Sequence, residues 1–248
     1  MHQFFLNEPL APEALSQPLV LTKKDYQHLF VLRLRVGEAF VMADGCGTEH
    51  ICEVRDVNKN AITARVTETR PSERELPTKL VLLQGLPKRD KLELIIQKAT
   101  ELGASQIMPV MMKRTNVKLD EKKADRKADR LHEIAKSAAS QSKRGIIPRV
   151  DAVTPFKEAL EQVADADIKL LCYEDEESRG TLSALLPQLA SAKKIALLVG
   201  PEGGIDESEW QLAKEAGFKS VSLGSRILRT ETAGFTLLSY LMLHLENA

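Results

Sequence analysis

From Leu80 onward two kinds of segment alternate, and that alternation constrains the fold more than any other feature of the chain. Short apolar runs ("LVLLQG", "QIMPV", "IKLLCYE", "KIALLVG", "KSVSLG") are separated by stretches with helical spacing ("DKLELIIQKATELG", "PFKEALEQV", "TLSALLPQLA" and a segment opening at Asp206). Runs too short for helices and apolar throughout fit strands buried in a parallel sheet, with each helix as a crossover. In "DKLELIIQKATELG", Leu92, Ile95, Ile96, Ala99 and Leu102 share one helix face, and Gly103 follows as a C-cap. A long charged helix is expected over "DEKKADRKADRLHEIAKSAASQS", a short strand in "PRVDAV", and a last helix from about Thr230. The expected class is α/β with a mainly parallel sheet.

Before Leu80 the pattern differs. "EAFVMADGCGTEHICEVRDVNKNAITARVTETR" holds three β-prone runs, with Asp44-Gly45 and Asn58-Lys59-Asn60 as turn chemistry between them. Alternation is clear only in the third run, where Ile62, Ala64 and Val66 share one face. A small barrel or meander is expected. The polar stretch "RPSERELPTK", Arg70 to Lys79, has two prolines and no periodicity and reads as a linker. Two domains are therefore expected, over residues 1–72 and 73–248.

Lys plus Arg and Asp plus Glu both total 35 in 248 residues, so net charge points to no partner class. Three cysteines form no CxxC pair, which argues against a zinc ribbon or disulfide scaffold and suits a reducing cytoplasm. Five histidines show no HxxxH spacing, so no metal site is expected. "MHQFFLNEPLAPEAL" lacks the basic start and apolar core of a signal peptide, and no apolar run is long enough to span a bilayer.

"KIALLVG" and "KSVSLG" both end in glycine and both feed a helix, and ligands of α/β sheets bind at carboxyl ends of strands. Gly200-Pro201-Glu202-Gly203-Gly204 and the loop from Leu223 to Arg229 should therefore lie side by side at one rim. A phosphate site fits poorly: there is no GxxxxGK[ST], and Glu202, Asp206 and Glu207 would repel it. Asp206 with Glu209 reads as an N-terminal capping box. The glycine-rich loop suits a neutral or cationic adenosine derivative held by backbone groups.

"LLVGPEGGIDESEW", "SLGSRILRTETAG" and "KATELGASQIMPV" together resemble the small-subunit ribosomal RNA methyltransferase E family, uridine N3-methyltransferases of the SPOUT superfamily. "FVLRLRVGEAFVMADGCGTEHICEV" is similar to that family's PUA-like β-barrel domain. The resemblance implies an S-adenosylmethionine donor, a trefoil knot in the C-terminal domain, a homodimer, and a uridine of small-subunit rRNA in the 30S particle as substrate. One departure stands out: Ser140 in "SAASQSKR" occupies a position where the family carries Glu, while Gln141 and Arg144 match.

Methylating uracil N3 removes its proton and spreads charge onto O2 and O4, so a cation or N–H donors are needed there. Arg229 is the leading candidate and Arg226 a weaker one; a structural ion pair of Arg229 with Glu231 or Glu202 is the alternative. Glu202 could hold a ligand group, orient Arg229 or only shape its loop. Thr230 and Thr232 read as caps, and no general base is identifiable. For the donor, the resemblance points to Leu198, Gly200, Gly203 and Gly204, to Leu223, Gly224, Ile227 and Leu228, and to Tyr173 and Glu174. The three leucines could equally be core residues.

Residues 113–149 are rich in Lys and Arg. Lys122 with Asp125 and Arg126 with Asp129 suit intrahelical pairing. Lys113, Arg114, Gln141, Lys143 and Arg144 are stronger candidates for RNA phosphate contact. Lys88, Arg89 and Lys91 add a basic rim, and Arg33 is a further candidate in the β domain. The competing reading is a non-catalytic RNA-binding assembly factor on the same fold.

Overall fold

The computed structural model describes residues 1–88, 91–116, 124–173 and 181–247, without the side chains of residues 28, 124–127 and 181. Two compact units result: Met1–Glu75 with Ala139–Ile147, and Leu76–Ala138 with Pro148–Ala248.

The first unit is a five-stranded sheet of β1 (His2–Phe5), β2 (Leu19–Thr22), β3 (Ala39–Ala43), β4 (Thr48–Val57) and β5 (Ala61–Pro71) in the order β1-β3-β4-β5-β2. A short helix, α1 (Gln27–Val31), follows β2. β3, β4 and β5 are the three expected runs, paired antiparallel, and β1 runs parallel to β3. Both expected turns are closed by side chains: Asp44 Oδ1 accepts the N–H groups of Cys46 and Thr48 at 2.7 and 2.9 Å, and Asn58 Oδ1 accepts those of Asn60 and Ala61, both at 2.9 Å. Alternation fails in the first two runs for separate reasons. The β4–β5 ladder shifts register at Ile51/Cys52 and at Val54/Asp56, so burial along β4 loses its period of two. β3 is covered on both faces: Phe40 and Met42 face the main core, and Ala43 packs with Phe5, Ala139 and Ile147.

Ala139 and Ile147 belong to a return segment that the sequence reading assigned wholly to the other domain. Arg144 anchors it, being 4 % exposed and paired with Glu75 at 2.6 Å. The other oxygen of Glu75 accepts the N–H of Ile146 at 3.0 Å. The Ser140 hydroxyl donates to the Gln3 carbonyl at 2.9 Å, so at this position a hydroxyl ties the return segment to β1. The expected boundary after residue 72 accordingly moves to Glu75 and gains this second piece. The linker also shortens, because β5 runs through Pro71 and the next strand starts at Lys79.

The second unit is the alternating α/β half: β6 (Lys79–Gly85), α2 (Lys91–Glu101), β7 (Ala104–Met111), α3 (Ala124–Ser142, its last turn counted in the first unit), β8 (Arg149–Val150), β9 (Thr154–Pro155), α4 (Phe156–Gln162), β10 (Ile168–Cys172), α5 (Thr181–Leu189), β11 (Lys194–Val199), α6 (Glu207–Glu215), β12 (Lys219–Val221) and α7 (Thr230–Glu246). The sheet is parallel throughout, ordered β12-β10-β11-β6-β7-β8 with β9 also beside β7. Leu80–Leu83 and Ile195–Val199 are all buried, as both-face coverage requires. Leu92, Ile95, Ile96 and Ala99 form the buried face of α2, which ends before Gly103 at φ +86°. β10 lies between β11 and β12, so these two strands do not pair.

Candidate functional site

The loops after β10, β11 and β12 border one cavity of about 750 Å³ in the second unit, at the carboxyl ends of the strands. Its walls are Cys172 and Tyr173 at the end of β10, Val199 to Glu202 with Gly204 and Ile205 at the end of β11, and Val221 to Gly224 with Arg226 to Arg229 at the end of β12. Thr230 and Ala233 close it from the first turn of α7, and Lys91 from the start of α2. A volume in the usual range for small-ligand sites, lined largely by backbone and aliphatic groups, fits an adenosine-sized molecule.

The loop after β11 takes its shape from a turn in which the Gly204 N–H donates to the Pro201 carbonyl at 2.9 Å, with Gly204 at φ +75°. It packs backbone to backbone on β6: a Cβ on Gly85 would sit 2.5 Å from the Pro201 nitrogen and 2.8 Å from the Gly200 carbonyl carbon. Beneath it, the Thr230 hydroxyl donates to the Gly200 carbonyl at 2.6 Å and accepts the Gln84 amide at 2.8 Å. Three elements are thereby tied at one buried point: the end of β6, the glycine-rich loop and the start of α7.

The loop carboxylate has a use other than meeting a ligand. Glu202 accepts the Lys88 backbone N–H at 3.1 Å and pairs with Lys91 at 3.3 Å. Lys91 also reaches Glu231, in the first turn of α7, at 3.2 Å. Burial opposes the charge on Lys91, but its hydrogen bonds to Glu231 and Glu202 outweigh burial and raise its pKa. Burial pushes the Glu202 carboxyl up, and its own N–H, that of Lys88 and the Lys91 ammonium together bring it below its ordinary value. With both carboxylates held by Lys91, the alternative pairing of Arg229 with Glu202 or Glu231 does not occur. The Arg226 and Arg229 guanidiniums line the cavity, exposed and without a hydrogen-bond or ion-pair partner among the described residues. Desolvation pushes the Cys172 thiol up to about 12, so it stays protonated near neutral pH.

Of the residues expected around a donor, Tyr173, Gly200, Gly204, Leu223, Gly224, Ile227 and Leu228 border the cavity, Ile227 being 97 % exposed. Leu198 does not; it is fully buried with Leu83, Leu171 and Ile205 in the core. Gly203 faces away: a Cβ there would lie 2.9 Å from the Arg114 carbonyl oxygen. Glu174 lies outside the described residues, as do Arg89 and Lys122. The Lys122–Asp125 and Arg126–Asp129 pairings also involve side chains that are not described.

Asp206 caps α6 as expected, accepting the Ser208 N–H at 3.2 Å. Glu209 does not complete a capping box. Buried to 4 % exposure, it accepts the Lys113 backbone N–H at 2.8 Å and leaves its other oxygen without a partner. Lys113 Nζ meets Asp206 at 3.3 Å, and Arg114 Nη1 donates to the Gly203 carbonyl at 3.4 Å. Lys113 and Arg114 are therefore exposed cations that also clamp the glycine-rich loop. Lys88 and Gln141 are exposed, and so is Arg33, whose backbone is left-handed at φ +52°. Lys143, at φ +63°, donates its ammonium to the Met1 carbonyl. Arg144 is the clear correction among the expected RNA contacts, because its guanidinium is buried on Glu75 rather than presented at the surface.

Sequence reasoning missed Gln84, Gly85, Cys172, Val199 and Ala233, and placed Lys91 on an RNA-facing rim. Gly85 was detectable, since "LVLLQG" ends in glycine as "KIALLVG" and "KSVSLG" do. Tyr173 packs on Trp210, the single tryptophan, with ring centroids 5.7 Å apart and planes tilted by 34°, and Lys214 Nζ lies 4.5 Å from the Trp210 ring centroid. A fluorophore thus sits one ring away from the cavity wall.

The chain is similar to known proteins over both of its units. The RNA methyltransferase domain family matches residues 74–242, and the RNA methyltransferase PUA domain family matches residues 21–67. The ribosomal RNA small subunit methyltransferase E of Bacillus subtilis is 40% identical over 223 residues, 88% of this chain and 87% of that protein. The Synechocystis protein of the same name is 36% identical over 241 residues, 96% of this chain and 77% of its own length. Among solved structures, a ribosomal RNA small subunit methyltransferase E from Neisseria gonorrhoeae bound to S-adenosyl methionine superposes with a TM-score of 0.84 at 31% identity, covering 98% of this chain and 97% of that one. A putative methyltransferase from Legionella pneumophila, in complex with the cofactor SAM, superposes at 0.82 with 30% identity, covering 97% and 96%.

Proposed function

Because the chain belongs to the small-subunit ribosomal RNA methyltransferase E family, we propose that it transfers a methyl group from S-adenosylmethionine to N3 of a uridine in small-subunit rRNA, acting in the cytoplasm on the assembled 30S particle. The observation that carries this reading is the cavity at the carboxyl ends of β10, β11 and β12, with the partnerless Arg229 on its wall. The donor, when bound, supplies the electrophilic methyl on a sulfonium. The residues supply the rest. The backbone of Leu223 offers amide and carbonyl groups to an adenine, and Val199, Val221 and Leu228 give it apolar faces. Glu202 fixes the glycine-rich loop through the Lys88 N–H and the Lys91 ammonium. The uracil N3 proton passes to solvent water, and the charge that develops on O2 and O4 is met by the Arg229 guanidinium until N3 takes the methyl group.

The path of the chain supports the trefoil knot that this family membership suggests. β12 lies beyond β10, yet α7 begins on Gly200 after β11 and Gln84 on β6, so the segment between them crosses the end of β10. Exposed Leu94, Ile227 and Leu243 offer apolar surface to the proposed homodimer. On the RNA side, exposed Arg33, Lys88, Lys113, Arg114 and Gln141 support phosphate contact.

Calorimetric titration with S-adenosylmethionine, with Trp210 fluorescence as a second readout, tests the donor site. The native chain should bind and change its emission, and Ala233→Phe, which places a ring in the cavity, should abolish both. No binding by a folded native chain would overturn the reading. Mass analysis of rRNA from treated subunits then tests the methylated atom.

A further inference from the structure

Lys91 is not among the cations that the proposed reaction uses, yet it lines the same cavity and holds both carboxylates near Arg229. Its two partners differ in what they keep if it is removed. Glu202 retains the Lys88 backbone N–H at 3.1 Å. Glu231, with 14% of its side chain exposed, has no other hydrogen-bond or ion-pair partner among the described residues. The cation nearest to Glu231 in sequence is Arg229, the N-cap residue two positions before it, and its guanidinium is partnerless. Two residues of chain span at most about 7 Å, so a Glu231 carboxylate left without Lys91 has the Arg229 charge within reach. We infer that Lys91 is a positioning residue that keeps Arg229 available to the substrate by occupying Glu231, and to a lesser degree Glu202. The inference rests on the methyltransferase reading and adds a residue to it: turnover depends on a lysine that acts through Glu231 on Arg229.

The arrangement predicts coupling of a particular sign. Without Lys91, Glu231 captures Arg229, and turnover falls although every residue facing the ligands is intact. Removing the charge of Glu231 as well releases Arg229. A lysine that merely braced the loop against α7 would show the opposite, since Glu231→Gln cannot restore a lost brace. The Arg229→Ala loss should also shrink in a Lys91→Met background, because there the guanidinium is already diverted.

The experiment compares full-length native chain, Lys91→Met, Glu231→Gln, Lys91→Met/Glu231→Gln and Lys91→Arg. It measures kcat on unmethylated small ribosomal subunits, S-adenosylmethionine affinity by calorimetry, and Tm. Lys91→Met should lower kcat roughly tenfold, the factor that about 1.4 kcal/mol of competing ion pair imposes, while donor affinity changes far less. The double variant should recover most of kcat without recovering Tm, and Lys91→Arg should stay near native. Unchanged kcat in Lys91→Met, or a double variant no better than the single, overturns the inference and leaves the methyltransferase reading standing. A native chain that turns over no subunits overturns both.

Discussion

Thr230→Val isolates the buried relay beneath the glycine-rich loop. Thr230 is 7% exposed, and its hydroxyl joins the Gly200 carbonyl at 2.6 Å to the Gln84 amide at 2.8 Å. Valine keeps the shape and loses both bonds. Gln84 retains a bond to the Gly85 carbonyl at 3.1 Å, so the heavier loss falls on Gly200. An unsatisfied buried acceptor costs about 1–3 kcal/mol and the weakened amide adds about 1, giving roughly 2–4 kcal/mol. In a chain of this size that lowers Tm by roughly 5–15 °C. Thr230→Ser keeps the hydroxyl and forfeits one methyl, about 1 kcal/mol. Because Gly200 borders the cavity, S-adenosylmethionine affinity should fall about tenfold in the valine variant, as a loop shift worth about 1.4 kcal/mol requires, and stay near native in the serine variant. Scanning calorimetry with and without donor, followed by titration, reads both effects. If valine and serine variants matched in Tm and affinity, the relay would not be what holds the loop.

Three more outcomes are expected. Gly85→Ala puts a Cβ 2.5 Å from the Pro201 nitrogen, and since backbone lies on both sides, it should cost about 1–3 kcal/mol and weaken donor binding; native affinity would mean that β6 and the loop separate freely. Arg144→Met leaves the Glu75 carboxylate without its cation, so urea unfolding should show a loss of about 3 kcal/mol, while the folded variant binds rRNA fragments as the native chain does; lost RNA affinity at native stability would return Arg144 to the RNA surface. The Lys91 clamp also sets a pH window. Lys91, raised above its ordinary 10.5, contributes fully below that value and fails as pH rises through its folded pKa. Glu202, lowered below its ordinary 4.5, contributes above that value and fails as pH falls through its folded pKa. Donor affinity measured across roughly pH 5.5–9.5 should therefore be flat in the clamp's contribution, and a step inside that range would point to another group.

Much of the α/β half was legible because its signals are local. Helical spacing marked the buried face of α2, and apolar runs marked β6, β10 and β11. Strand order was not legible. Nothing in "KIALLVG" or "KSVSLG" says that β10 separates them, because order is set by crossover paths rather than by strand composition. In the site, glycines marked the loops, but spacing could not tell which side of a loop a residue faces. Gly203 turned to Arg114 and Leu198 to the core, while their neighbours Gly200 and Gly204 turned to the cavity. Charge was the least legible property. Lys91 and Arg144 looked like the other surface cations in sequence, and only their carboxylate partners, far away along the chain, set them apart.

The return of Ala139–Ile147 to the first unit bears on how such a chain can be cut or recombined. A fragment ending at Glu75 would keep a carboxylate whose guanidinium was left behind, and would uncover Ala43 and Phe5 where Ala139 and Ile147 had packed. A single genetic crossover near the linker would separate the same groups. Transplanting this RNA methyltransferase PUA unit therefore takes two exchanges, one at each end of the intervening stretch. The unit is inherited as a pair of pieces, and the charge pair between Glu75 and Arg144 is the seam.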